Sequence, residues 1–344
     1  MDKDHTKHNH STPKLEVLTN LLVGMKTFPV NIPPVTINLD YRGMTGTGGV
    51  SIVPMSYDSR PYPAFSTDKK TGKVIHSQII EKIPALRLEP TNESKRKRKG
   101  IIALHQHALD FSLGKSEPAG LMTGPSGKEQ HYGLELAKRG YTVFCFDFSP
   151  FEDRQIRSLA EYRESHKSII GVDERFIKQE HSLDGLELMG QYVLDCMSAV
   201  DVMINLGIED IGIIGHSLGG MVSVYAMAAD PRIKAGVSNC GVSTFEAIRN
   251  APMIHNLAYS VHGMKRDFGE WYDLCALIEP RPLFVSSGTE DRGLPIDGAE
   301  DFAKFGRKHY RGNEPLLVFN KFEGRHGFPS PVREAAYDFL ERAL

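Results

Sequence analysis

Six short apolar runs, at 101–104, 142–146, 211–214, 235–237, 283–285 and 316–319, set the rhythm of the chain from residue 100 onward. None alternates with polar residues, and a strand without alternation is one buried on both faces. Helical patterns separate the runs. A short one lies at 133–139, and a long one at 186–206 puts Leu186, Met189, Val193, Met197, Val200 and Ile204 on a single stripe. A third, 218–229, stops at Asp230-Pro231, and a fourth covers 296–310. The last opens at Ser330-Pro331, which reads as an N-cap with proline in the first turn. Strands alternating with helices imply right-handed crossovers and a mostly parallel sheet clothed on both faces, an α/β fold.

The first part of the chain reads differently. Residues 15–60 carry Pro29, Pro33, Pro34, Gly46, Gly48, Gly49 and Pro54 and little periodicity, which predicts irregular chain wrapped on a larger body. Between Val74 and Leu88 apolar and polar positions roughly alternate around Pro84, which predicts two short strands of an antiparallel edge. The expected organisation is an N-terminal extension over 1–73, partly disordered, and one α/β domain over 74–344. That domain carries two insertions, at about 148–182 and 242–280. Both follow the C-terminal ends of predicted strands, where open parallel sheets bind ligands, and loops of that length usually serve a site. They hold Phe148, Phe151, Tyr162, Phe176, Phe245, Tyr259, Phe268, Trp271 and Tyr272, an aromatic pocket wall or, for about half of such residues, plain core. Arg154, Arg157, Arg163 and Arg175 read first as solvated surface arginines and second as candidates for an acidic group.

Composition narrows the class. The 344 residues include 41 Lys and Arg against 43 Asp and Glu, a balance that offers no electrostatic footprint for nucleic acid. The run Lys95-Arg96-Lys97-Arg98-Lys99 then reads as a solvated loop leading into a buried strand. No apolar stretch approaches the roughly 20 residues of a bilayer span, so no membrane association is expected. The N-terminus lacks the apolar core of a secretory signal, and Cys145, Cys196, Cys240 and Cys275 are scattered singly, so a cytoplasmic, reduced protein is expected. His5, His8 and His10 make a polar tail rather than a metal site. A homo-oligomer is compatible with all of this.

The chemistry concentrates in Gly215-His216-Ser217-Leu218-Gly219-Gly220, directly after a buried strand and directly before a helix. A nucleophile elbow needs that strand, a sharp turn, and glycines two before and two after the serine so that the backbones can approach. A serine hydroxyl is too weak an acid to attack alone and needs a base with an orienting carboxylate. In this architecture they follow in the order serine, acid, histidine. The predicted strand at 283–287 ends in Gly288-Thr289-Glu290-Asp291, and the one at 316–322 ends in Glu323-Gly324-Arg325-His326. Asp291 is the expected acid, with Glu290 and Asp297 as competitors, and His326 the expected base; His216 should point away. Two backbone N–H groups must then meet the tetrahedral oxyanion. One is expected from Leu218 and the other from the loop after the first parallel strand, at His107 or next to it at Gln106.

These segments resemble the α/β-hydrolase superfamily. Within it, His105-Gln106, Gly114-Lys115-Ser116-Glu117-Pro118-Ala119-Gly120-Leu121, the stretch Asp147 to Arg154 and Glu279-Pro280-Arg281-Pro282 resemble dienelactone-hydrolase-like and acetyl-xylan-esterase-like members. The similarity covers about residues 74–344. Dienelactone hydrolases proper use cysteine where this chain has Ser217, which favours ordinary carboxylic ester hydrolysis. The resemblance implies an acyl-enzyme mechanism on a small-molecule ester, with no cofactor and no metal. The same triad could cut a peptide or a carbon–carbon bond, and a hydrolase-fold binding protein is a third reading that would be marked by a missing triad member.

Overall fold

The computed structural model describes residues 13–29, 37–124, 130–156, 172–252, 259–313 and 316–344. His5, His8, His10, Arg157, Tyr162 and Arg163 lie outside them. All six apolar runs are strands: β7 (Lys99–Leu104), β8 (Thr142–Phe146), β9 (Asp210–His216), β10 (Ile233–Asn239), β11 (Leu283–Gly288) and β12 (Leu317–Phe322). They pair in parallel in the order β8-β7-β9-β10-β11-β12. Alternate residues of a strand point to opposite faces. Ile102 and Leu104 accordingly enter one core cluster while Ile101 and Ala103 enter the other. Each face therefore needs an apolar residue at every position, which is why the runs show no alternation.

Helices close both faces. On one lie α1 (Pro13–Val23), α4 (Leu188–Asn205) and α5 (Leu218–Ala229), and on the other α2 (Tyr132–Lys138) and α9 (Ser330–Ala343). Helix α3 (Val172–Leu183) belongs to the first insertion, α6 (Phe245–Arg249) and α7 (Cys275–Ile278) to the second, and α8 (Ile296–Gly306) follows β11. Helix α4 departs from the single stripe expected of it. It is buried nearly all round because α1 packs on its outer side, with Leu18, Leu22 and Val23 fully buried. At the last helix Ser330 is already helical and makes no cap hydrogen bond; Pro329 holds the N-cap position.

The irregular reading of residues 15–60 is corrected. Besides α1, that stretch carries β1 (Ile37–Leu39), β2 (Thr45–Thr47) and the nine-residue β3 (Val50–Asp58). Strand β3 runs antiparallel to β6 (Lys82–Pro90) from Val50↔Pro90 to Asp58↔Lys82, and β6 joins β8, so one ten-stranded sheet spans the expected boundary at residue 73. The expected pair around Pro84 is corrected too. β5 (Val74–Ile79) and β6 are both strands, but β5 pairs with β4 (Tyr62–Thr67) as a separate hairpin, while Pro84 sits inside β6 opposite Ser56. The basic run is the expected loop into β7, with Arg96 on Glu89 and Lys97 on Glu341. Among the described residues, no helix is long and apolar enough to cross a membrane.

Candidate functional site

β9 ends at His216 and α5 begins at Leu218, so the whole reversal falls on Ser217, at φ 55° and ψ −117°. A non-glycine residue held there costs on the order of 1–3 kcal/mol and needs its surroundings to enforce it. The two flanking glycines allow that enforcement. A Cβ on Gly215 would lie 2.2 Å from the Gly219 backbone, and one on Gly219 would lie 2.3 Å from Leu104 O at the end of β7. The Ser217 amide donates to Asn239 O at 2.9 Å, locking the elbow to the end of β10. Leu218 is the first residue of α5, and a first-turn amide has no acceptor within its own helix.

Asp291 and His326 sit just past β11 and β12 and meet. His326 Nδ1 lies 2.6 Å from Asp291 Oδ2, with the Asp291 side chain fully buried and that of His326 34% exposed. The other carboxylate oxygen accepts the amides of Gly293 and Leu294, both at 3.0 Å. Burial works against the Asp291 carboxylate, but the His326 bond and those two amides outweigh it and hold its pKa below the ordinary carboxylate value. The two competing acids are engaged elsewhere. Glu290 is exposed and faces Arg325, and Asp297 accepts the Gly298 amide.

His216 has a role the sequence did not disclose. Its ring packs against that of His326 with centroids 4.9 Å apart and planes tilted by 39°, and it also contacts Phe328, with centroids 6.1 Å apart. Asn239 ties His216 to the loop that carries His326: its Nδ2 reaches His216 Nδ1 at 2.7 Å and Gly327 O at 2.9 Å, while its Oδ1 accepts from Ser286 at 2.7 Å. Asn239 was missed because nothing marks a lone asparagine at a strand end until the neighbouring strands are known.

The loop after β7 packs against the start of α5, as the Leu104–Gly219 approach shows. His105 is a buried bridge: its Nδ1 faces Gln106 O at 2.8 Å and its Nε2 accepts the Phe148 amide at 3.0 Å. Burial pushes its pKa down to about 4, so it stays neutral. Gln106 Nε2 donates to both oxygens of Glu117, at 2.9 and 3.0 Å, and burial pushes that carboxyl up to about 7. His107 turns its imidazole to Glu174 of the first insertion.

The motifs around Lys115 and Arg154 are structural. Lys115 Nζ lies 2.7 Å from Asp147, Glu152 and Asp153, tying the loop after β7 to the loop after β8. Arg154 was a candidate for an acidic ligand, but its guanidinium already lies against Asp195 and Glu81 inside the protein. Of the expected aromatic wall, Phe148, Phe151, Tyr259, Phe268 and Trp271 are buried in the core, whereas Phe176 is exposed. Arg175 is also exposed.

Residues 181–343 match the prolyl oligopeptidase family. Over 272 residues the chain is 26% identical to YtaP of Bacillus subtilis (strain 168), provisionally named a hydrolase, covering 77% of this chain and 84% of that protein. Among solved structures, a Bacteroides fragilis NCTC 9343 protein provisionally named an acetyl xylan esterase superposes with a TM-score of 0.63 at 14% identity, covering 97% of this chain and 84% of that one. Methylesterase BT1017 superposes at 0.57 with 15% identity over 96% of this chain, which spans 61% of that protein's length. The fold is thus the α/β-hydrolase fold that the sequence resemblance implied.

Proposed function

We propose that the chain is a serine esterase that cleaves a small-molecule carboxylic ester through an acyl-enzyme, with Ser217 as nucleophile, His326 as general base and acid, and Asp291 as the orienting acid. His326 takes the Ser217 proton as Oγ attacks the carbonyl carbon. The amides of Leu218 and His107 receive the developing oxyanion. The C–O bond breaks, the alcohol leaves with the proton from His326, and water repeats the sequence to release the acid.

The observation that carries this reading is the Asp291–His326 pair: a fully buried carboxylate at 2.6 Å from one imidazole nitrogen, which leaves the other nitrogen free to act as a base. Esterases on the same fold support it. Ser217→Ala is expected to abolish p-nitrophenyl acetate turnover and fluorophosphonate labelling while the thermal unfolding curve is kept. Wild-type turnover in that variant would refute the assignment.

The match to the prolyl oligopeptidase family favours one second reading, the same three residues acting on a peptide bond. Aminoacyl amides assayed beside aryl esters separate the two.

A further inference from the structure

We propose that Glu174 is a positioning residue for this reaction: its carboxylate clamps the His107 imidazole and so fixes the turn whose amide completes the oxyanion hole. This rests on the esterase reading above and deepens it.

The side chain of Glu174 projects from α3 and is completely buried. It lies against His107 Nε2, and Tyr259 of the second insertion donates to the same carboxylate oxygen at 3.1 Å. One oxygen thus joins both insertions to the loop after β7. The His107 tautomer follows from its other nitrogen. Nδ1 lies 3.0 Å from the Leu109 amide and accepts it, so the proton sits on Nε2 and points at Glu174.

The turn beyond His107 is one the chain would not adopt unaided. Ala108 and Leu109 are successive non-glycine residues at φ 52° and 57°, each costing roughly 1–2 kcal/mol. The Leu109–His107 bond holds this reversal closed from within, and it works only while the imidazole is fixed. Phe111, Phe151 and Tyr259 box the ring edge-on, with centroids 5.5, 5.3 and 6.0 Å away. Aromatic edges centre a ring but do not fix its rotation about the Cβ–Cγ bond; the Nε2–carboxylate bond does that. The clamp therefore acts on the backbone at 107–109, on a loop packed against the elbow helix by the contact at Leu104.

The test compares Glu174→Leu, Glu174→Gln, Tyr259→Phe, Ser217→Ala and wild type, reading kcat and KM for p-nitrophenyl acetate, the fluorophosphonate labelling rate, and the unfolding midpoint. Losing an oxyanion donor outright costs about 100- to 1,000-fold in kcat, and displacing one costs part of that, so Glu174→Leu is expected to lower kcat by about 10- to 100-fold with KM nearly unchanged. Glu174→Gln keeps an oxygen acceptor for His107 and should recover kcat to within about threefold of wild type. Wild-type kcat in Glu174→Leu overturns the proposal, as does an equal loss in Leu and Gln variants that tracks their unfolding midpoints. If Glu174→Leu does not fold, Tyr259→Phe decides. It removes one donor from the clamp, so a several-fold fall in kcat at constant KM supports the proposal and wild-type kcat overturns it. Failure of the esterase reading itself looks different: wild type, with Glu174 in place, would then turn over no ester.

Discussion

Replacing Asp291 by Asn separates the charge of the candidate acid from its shape. The Asn oxygen can still accept the Gly293 and Leu294 amides now held at 3.0 Å, so the loop after β11 should keep its conformation. What changes is the bond to His326. An Asn amide donates to Nδ1, which forces the proton onto Nε2 and removes the lone pair that must receive the Ser217 proton. The imidazolium formed in the transition state also loses its counter-charge. At about 3.5 Å and an effective dielectric of about 20, that attraction amounts to about 5 kcal/mol, or roughly 10³- to 10⁴-fold in rate. Stopped-flow hydrolysis of p-nitrophenyl acetate at neutral pH, with thermal unfolding as the control, is the assay. A kcat within tenfold of wild type, at an unchanged unfolding midpoint, would refute the role given to this carboxylate. The wild-type pair should also survive mild acid. Because the folded-state pKa of Asp291 is depressed, its contribution to stability is present above the ordinary carboxylate pKa of about 4 and is lost only as pH falls through the lower folded value.

Two further outcomes test the scaffold. Lys115→Met leaves the fully buried Asp147 carboxylate without its cation, which should cost about 3–5 kcal/mol and lower the unfolding midpoint by about 4–7 °C. Burial pushes the Asp147 carboxyl up to about 7 even with Lys115 holding it down, so without the cation it takes its proton at a higher pH still, and the deficit should shrink as pH is lowered toward that value; a deficit that widens in acid would show that the charge is not the cause. Leu22→Ala, in the helix before the expected domain boundary, should cost about 2–5 kcal/mol of stability because the side chain is fully buried in the main core. Denaturant titration reads it, and an unaltered midpoint would place α1 outside the cooperative unit.

The parts of this protein that depend on neighbouring residues along the chain were legible in its sequence. Uninterrupted apolar runs at 101–104 or 211–214 can bury both faces only in the middle of a parallel sheet, and the glycines beside Ser217 can only serve a turn in which backbones touch. Asp291 and His326 were legible because each follows a strand whose end must lie on the same rim. The tertiary structure decided what depends on residues far apart. β3 was not visible because Pro54 interrupts its pattern and its partner β6 comes more than twenty residues later. Arg154 looked like a free cation until Asp195 and Glu81 met it, and His216, Asn239 and Glu174 acquired partners 23 to 88 positions away. A period along the chain records which side of an element is apolar, because that is a local constraint. Which polar group will face which across a packed core is set only when the elements close on one another, and the positioning of the candidate nucleophile, base and oxyanion turn is of that second kind.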